Sequence, residues 1–191
     1  MAAMDDRLEH IVLVDENDRE VGTVPKLDGH RRGLLHRALS VIVRDPAGRL
    51  LLQKRHVAKY HSGGLWTNTC CSHPRPDEPV IEAAGRRLQE EMGITCPLLP
   101  LITVTYRADV GNGLIEHELV HVFAGRYEGA VRPHPLEADG YDWNTPEDLQ
   151  AGLAAAPARF SVWFRKYCAE HWELIGGGEA AGATCRGWGR E

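Results

Sequence analysis

The spacing of apolar and polar positions changes several times along the chain, and each change marks an element. Residues 11–14 are all apolar and run into Asp15-Glu16-Asn17-Asp18, a strand entering a turn, with residues 20–24 as a return strand. Residues 38–43 and 50–52 flank Asp45-Pro46-Ala47-Gly48, which predicts a core hairpin. Gly63-Gly64 breaks the chain before residues 65–69, and Pro74, Pro76 and Pro79 punctuate the approach to a helix. There Val80, Ala84, Leu88 and Met92 recur every fourth position, and Gly93 is placed to end the helix. Residues 101–108 are β-rich. In residues 115–123 the period-two rule puts Glu116, Glu118, Val120 and Val122 on one strand face, so two carboxylates point the same way.

Thr145-Pro146-Glu147-Asp148 combines an N-cap residue, a first-turn proline and early acids, which announces a helix. A second helix is expected after Pro157, with Phe160, Trp163, Phe164, Tyr167 and His171 or Trp172 along its stripe. Residues 176–191 lack periodicity and are expected to form a disordered tail, leaving residues 1–175 as a single domain. Strands mixed with a few helices at intervals predict an α+β or three-layer α/β/α domain, with a mixed sheet between helices.

Composition narrows the function classes. The 191 residues are 43% apolar and 26% charged, enough for one core. With 22 basic against 27 acidic residues and a formal charge of −5, the chain offers no wholesale counterion-release footprint, so no nucleic-acid partner is expected. No apolar run approaches the roughly 18 residues of a membrane span. The start of the chain is acidic, and five cysteines, an odd number, argue against a disulfide framework. The expectation is a soluble cytoplasmic protein without a membrane partner, monomeric or weakly homodimeric.

Three groups of residues could carry chemistry. Trp66-Thr67-Asn68-Thr69-Cys70-Cys71-Ser72-His73-Pro74 puts a thiol and an imidazole on one face of an extended segment just ahead of a helix. A buried small cysteine and a turn histidine would explain the same letters. His30, His36 and His73, with Glu116 and Glu118, make three imidazoles and two carboxylates available to one divalent ion, and mixed N and O donors suit Mn²⁺, Zn²⁺ or Fe²⁺ better than Ca²⁺. If the face bearing the two acids is buried, they need a compensating cation; exposure is the competing explanation. In the helix, Arg87 lies next to Glu91 and Arg86 next to Glu90. These are ordinary surface ion pairs, or else an acid that holds Mg²⁺ beside a guanidinium that forks onto phosphate oxygens. Lys26, Arg55 and Lys59 would add cations for a diphosphate.

The order of these motifs resembles the type 1 isopentenyl-diphosphate Δ-isomerases, which are built on the Nudix fold. The likeness rests on residues 67–74, Ile115-Glu116-His117-Glu118, Phe160-Ser161-x-Trp163 and the helix ending Glu90-Glu91-Met92-Gly93, and it runs from about Leu8 to Trp172. The resemblance implies Cys71 as the catalytic thiol, Glu118 as the opposing acid/base with Tyr106 beside it, and His30, His36, His73, Glu116 and Glu118 as ligands of a Mn²⁺ or Zn²⁺ ion. It implies Glu91, with the main-chain carbonyl of Cys71, as the Mg²⁺ site. Lys26, Arg55, Lys59 and Arg87 would be diphosphate contacts, and Trp163 an aromatic over the hydrocarbon. The implied substrates are isopentenyl and dimethylallyl diphosphate.

Three departures bear on that reading. A diphosphate-hydrolysing relative would read Arg-Glu-x-x-Glu-Glu where this chain reads Arg86-Arg87-Leu88-Gln89-Glu90-Glu91, and the box's usual opening glycine is Ser72. A cation in place of a metal-binding carboxylate fits a site that must keep its diphosphate intact. The His30 to His36 interval is one residue shorter than in the best-known isomerases. A Nudix hydrolase of a nucleoside or isoprenoid diphosphate, a noncatalytic ligand-sensing module on the same fold and a structural metal protein are the competing readings.

Overall fold

The computed structural model describes residues 9–177, and within them nine strands join one sheet. The first half of the described chain runs β1 (His10–Val14), β2 (Glu20–Pro25), α1 (Lys26–Arg32), β3 (His36–Arg44), β4 (Leu50–Arg55), β5 (Trp66–Thr67), β6 (Cys70–Ser72) and α2 (Val80–Met92). The second half runs β7 (Leu98–Gly111), β8 (Leu114–Arg126), β9 (Ala138–Asn144), α3 (Pro146–Ala155), α4 (Val162–Glu170) and α5 (Trp172–Ile175). The expected tail lies, from residue 178 onward, outside the described residues.

β3 organises the sheet. One of its edges pairs in parallel with β8 from His36↔Glu118 to Arg44↔Arg126. Its antiparallel partners share the other edge: β1 at Leu13↔His36, β6 from Leu39↔Ser72 to Val41↔Cys70, and β4 at Arg44↔Leu50. A strand paired on both edges and covered on both faces is mostly apolar, and residues 38–43 are buried without exception, Ser40 being the one polar side chain among them. Ala38 and Ile42 join Val120 and Val122 against Trp163, Phe164 and Tyr167 of α4. Leu39, Val41 and Val43 face the opposite way, onto Ala84, Leu88 and Met92 of α2. The mixed sheet between helices follows from these two faces, as the patterning predicts.

The expected core hairpin is realised only at its turn, because β3 and β4 pair at Arg44↔Leu50 alone. Beyond that point the side chain of Thr69 takes over the ladder. Its hydroxyl donates to the Leu51 carbonyl at 2.7 Å and accepts from the Val43 amide at 2.9 Å. Asn68 Nδ2 donates in the same way to the carbonyls of Val41 and Cys70. The Asn-Thr pair therefore parts the two strands and seats the cysteine-bearing β6 against β3.

The helix expected after Pro157 is also broken. A 3₁₀ turn at Pro157–Arg159 gives way to an extended Phe160, which bridges to Trp66, and Ser161 N donates to the Trp66 carbonyl at 2.9 Å. Only then does α4 begin, and it stops before His171, so Trp172 starts a separate short helix. Phe160, Trp163, Phe164 and Tyr167 are buried as the stripe requires. α2 ends at Gly93 in the left-handed conformation (φ 67°), where a Cβ would meet the Arg132 carbonyl oxygen at 2.9 Å. Thr145 caps α3 by accepting from the Asp148 amide.

Replacing Thr69 by Val keeps the shape and strands the Val43 amide and the Leu51 carbonyl. Urea unfolding should show a loss of about 1–3 kcal/mol with an unchanged slope against denaturant; an unaltered midpoint would count against the wedge.

Candidate active site

The three histidines and two glutamates singled out in the sequence converge from α1, β3, β8 and the segment after β6. Their ligating atoms all lie within 4.8 Å of one another. Gly33 makes the short interval between the first two histidines workable. It caps α1 in the left-handed conformation (φ 60°) and turns the chain so that His36 opens β3, its ring 4.8 Å from that of His30. His30 Nδ1 is 2.7 Å from the Lys26 carbonyl and His36 Nδ1 is 2.8 Å from the Leu34 carbonyl. A carbonyl only accepts, so Nδ1 carries a proton in both rings and Nε2 is the atom turned toward the glutamates. His36 Nε2 lies 3.2 Å from His73 Nε2, which in turn lies 2.9 Å from Glu118 Oε1. His30 Nε2 and Glu116 Oε2 are buried without a hydrogen-bond partner among the described residues. Converging lone pairs, orphaned buried donor atoms and two carboxylates fit a divalent cation.

Glu116 and Glu118 are 3% and 8% exposed, which settles the question of that face in favour of burial. Burial pushes the Glu116 carboxyl upward, but the adjacent His30 and His61 rings outweigh it and hold the group well below its ordinary range. Glu118 is lowered too: burial and the neighbouring Glu116 charge oppose ionisation, and the adjacent His36 and His73 rings overcome them. Burial brings the His73 imidazole down to about 4, so that ring is neutral. Tyr106, cross-strand from Glu118 in the β7–β8 register, donates its hydroxyl to Glu118 Oε2 at 2.7 Å. Burial and the two glutamate charges push the phenol well above its usual value, so it remains a proton-bearing donor.

Cys71 and Glu118 belong to strands that flank β3 on opposite edges, and both line one cavity of about 190 Å³ shared with Tyr106, Trp163, Arg87 and Glu91. The Cys71 thiol donates to Asn68 Oδ1 at 3.0 Å and lies 3.3 Å from Ser40 Oγ. Burial pushes its pKa up to about 12, with the Glu118 charge adding to the effect, so the sulfur keeps its proton at neutral pH. Cys70 points into the other core, against α2. The four described cysteines are all free thiols.

Lys26, Arg55, Lys59 and Arg87 line the same cavity. Each is engaged. Lys26 pairs with Glu9 at 2.7 Å and lies 5.2 Å from the Tyr60 ring centroid. Arg55 donates to the His61 carbonyl at 3.3 Å with its guanidinium 5.1 Å from the Trp163 ring. Lys59 pairs with Glu137. Arg87 Nη2 donates to Glu91 Oε1 at 2.7 Å and to Glu137 Oε1 at 3.2 Å. The helix pair Arg87–Glu91 is thus buried, whereas its neighbour Arg86–Glu90, at 3.1 Å, is only partly covered. Burial pushes the Glu91 carboxyl up, but Arg87 and Lys59 outweigh it and leave the group lowered and ionised. An ionised carboxylate with a second one, Glu137, on the same guanidinium is a donor set that Mg²⁺ accepts alongside phosphate oxygens.

His61, Glu137 and Glu9 escaped the sequence reading. Their only signal is location: His61 stands two residues before Gly63-Gly64, and Glu137 and Glu9 lie in segments without period.

Comparison with known proteins places this geometry in a family. Residues 34–164 match the NUDIX domain. The chain is 51% identical over 156 residues to an isopentenyl-diphosphate Delta-isomerase of Burkholderia multivorans, covering 82% of this chain and 89% of the relative. It is 52% identical over 155 residues to isopentenyl-diphosphate Delta-isomerase 1 of Aromatoleum aromaticum, covering 81% and 88%. Solved structures share the fold at lower identity. A Deinococcus radiodurans protein superposes with a TM-score of 0.64 at 22% identity, covering 77% of this chain and 90% of that one. A MutT NUDIX hydrolase from Burkholderia pseudomallei gives 0.57 at 24%, covering 72% and 98%. Fold and sequence together show that the chain belongs to the Nudix superfamily and, within it, to the isopentenyl-diphosphate Delta-isomerases.

Proposed function

We propose that this chain interconverts isopentenyl and dimethylallyl diphosphate, with Cys71 and Glu118 moving the protons. The observation that supports this best is a protonated thiol and an ionised carboxylate on the walls of one cavity, beneath an aromatic ring and beside a group of cations. Shifting the double bond adds a proton at the terminal alkene carbon and removes one from the carbon nearer the diphosphate, through a tertiary carbocation. In the resting state the transferable proton is on Cys71 and the vacant acceptor is Glu118, and the reverse reaction exchanges these roles. Tyr106, donating to Glu118, sets that carboxylate's orientation and basicity. The Trp163 ring, 3% exposed, faces the cavity and stabilises the cation, a contact worth about 2 kcal/mol when desolvated. Keeping water out protects the cation from capture as an alcohol.

Held by His30, His36, His73, Glu116 and Glu118, a Mn²⁺ or Zn²⁺ ion would draw charge from Glu118 and tune its proton affinity, while Mg²⁺ at Glu91 and the Cys71 main-chain carbonyl would neutralise phosphate charge. Lys26, Arg55, Lys59 and Arg87 grip the diphosphate. Arg87 favours isomerisation over hydrolysis, because its charge occupies the helix position at which a hydrolase places a metal-binding carboxylate to activate water.

Incubation with isopentenyl diphosphate and Mg²⁺ in D₂O should yield deuterated dimethylallyl diphosphate; release of inorganic phosphate instead would point to a hydrolase. Cys71→Ala and Glu118→Gln should each lower turnover by about 10²–10⁴-fold while leaving the dissociation constant of the diphosphate nearly unchanged. Trp163→Leu should lower kcat by roughly 30-fold, the equivalent of that 2 kcal/mol, with a smaller change in KM. Arg87→Met should destabilise the fold by about 3–5 kcal/mol at pH 7, because it leaves Glu91 charged and buried without its partner. Since the folded pKa of Glu91 lies below its ordinary 4.5, the stability supplied by that pairing is complete above about pH 4.5 and drains as pH falls through the lowered value. The gap between wild type and variant should therefore narrow in urea melts taken at falling pH, and a constant gap would assign the loss to another cause.

A further inference from the structure

His61 lies in the loop between β4 and β5 and is 4% exposed. Its Nε2 stands 2.8 Å from Glu116 Oε1. Because an ionised carboxylate only accepts, Nε2 carries the proton, and Nδ1, 3.2 Å from Ser62 Oγ, is left to accept from that hydroxyl. The ring meets Trp163 edge-on at 5.8 Å and Tyr60 at 4.4 Å, and the His61 carbonyl receives the Arg55 guanidinium. The loop is closed tightly to bring the imidazole inward. Ser62 and Gly64 have φ of 51° and 75°, and a Cβ on Gly63 would meet the Val57 carbonyl oxygen at 2.4 Å. His61 is not one of the five clustered residues, yet its contact to Glu116, at 2.8 Å, is shorter than the 3.5 Å approach of His30 to the same carboxylate.

We infer that His61 is a positioning residue for the metal centre: it fixes Glu116 through Oε1 and leaves the otherwise partnerless Oε2 as the oxygen that ligates the ion. The inference rests on the reading of the five-residue cluster as a divalent-metal site. The orienting bond comes from the same loop that carries Lys59, and from a residue whose carbonyl holds Arg55, so one short segment serves both the ion and the diphosphate grip. A hydrogen bond that orients a ligating carboxylate raises metal affinity by about 10- to 100-fold.

The test is Mn²⁺ binding to the metal-stripped full chain, read from the electron paramagnetic resonance signal of free Mn²⁺, with no substrate present. His61→Gln places its amide nitrogen where Nε2 stood and should bind Mn²⁺ within about threefold of wild type. His61→Leu keeps the packing against Trp163 and lacks the donor, so it should bind about 10- to 100-fold more weakly. His61→Asn, whose amide falls short of Glu116, should lose affinity similarly and stands in if the Leu variant fails to fold. His36→Ala and Glu116→Ala serve as ligand controls. If the Leu or Asn variant binds as tightly as wild type while the controls do not, the metal site stands and the inference about His61 is overturned. A Gln variant as weak as Leu overturns it too. Wild-type affinity in both controls would overturn the metal-site reading itself.

Discussion

Two ionised carboxylates, two residues apart on a buried face of β8, set the terms for everything around them. An uncompensated charge in that position would be prohibitive, so each neighbouring element delivers a polar hydrogen or a lone pair to them. α1 and the loop before β5 supply His30 and His61 to Glu116, while β3, the segment after β6 and β7 supply His36, His73 and Tyr106 to Glu118. His30 and His36 each give an Nδ1 proton to a backbone carbonyl, which fixes the ring and turns Nε2 toward a glutamate. Ring nitrogens and carboxylates gathered this closely are a donor set that fits a divalent cation. A buried polar cluster of this kind contributes little net stability, and its value lies in holding one arrangement of side chains.

The other wall of the cavity applies the same rule with the signs reversed. Lys26, Lys59 and Arg87 are each balanced by an acid, Glu9, Glu137 and Glu91 respectively. On the proposed function, a diphosphate exchanges partners with carboxylates that already occupy these cations. On that reading, bringing phosphate oxygens close to Glu91 and Glu137 is unfavourable unless a cation accompanies them, so the anion and a metal would bind together. Between the two walls lie a thiol that retains its proton and a carboxylate that has lost one.

The fold alone does not choose this chemistry. A MutT NUDIX hydrolase shares the architecture at 24% identity, so the sheet and its flanking helices are compatible with more than one reaction. The local features of this chain are a guanidinium at position 87 of the α2 face, and a cysteine on β6 seated against β3 because Asn68 and Thr69 replace part of the β3–β4 ladder with side-chain hydrogen bonds. β3 makes the arrangement possible, since its two edges carry Cys71 and Glu118 on separate strands that still face one space.

Much of this was legible in one dimension. The alternation that aligns Glu116 with Glu118, the fourfold period of α2, the Gly93 stop and the Thr145 cap all depend on residues within a turn or two of one another, and their physics is complete at that range. The motif order carried the family, and with it the five candidate ligands and the Cys71–Glu118 pair. Local pattern misled where a distant partner competed: the β3–β4 hairpin gave way to Thr69, and the last long helix broke because Phe160 and Ser161 were recruited by Trp66. Burial of Glu91, the ties of Glu137 to Lys59 and Arg87, and the contact of His61 with Glu116 had no sequence signal, because each joins residues tens of positions apart that meet only when strand order and register bring them together. Sequence alone determined which side chains were available and which face of its element each occupied. Tertiary structure decided which of them share a space, since burial, orphaned lone pairs and shifted proton affinities are properties of that space and not of any segment.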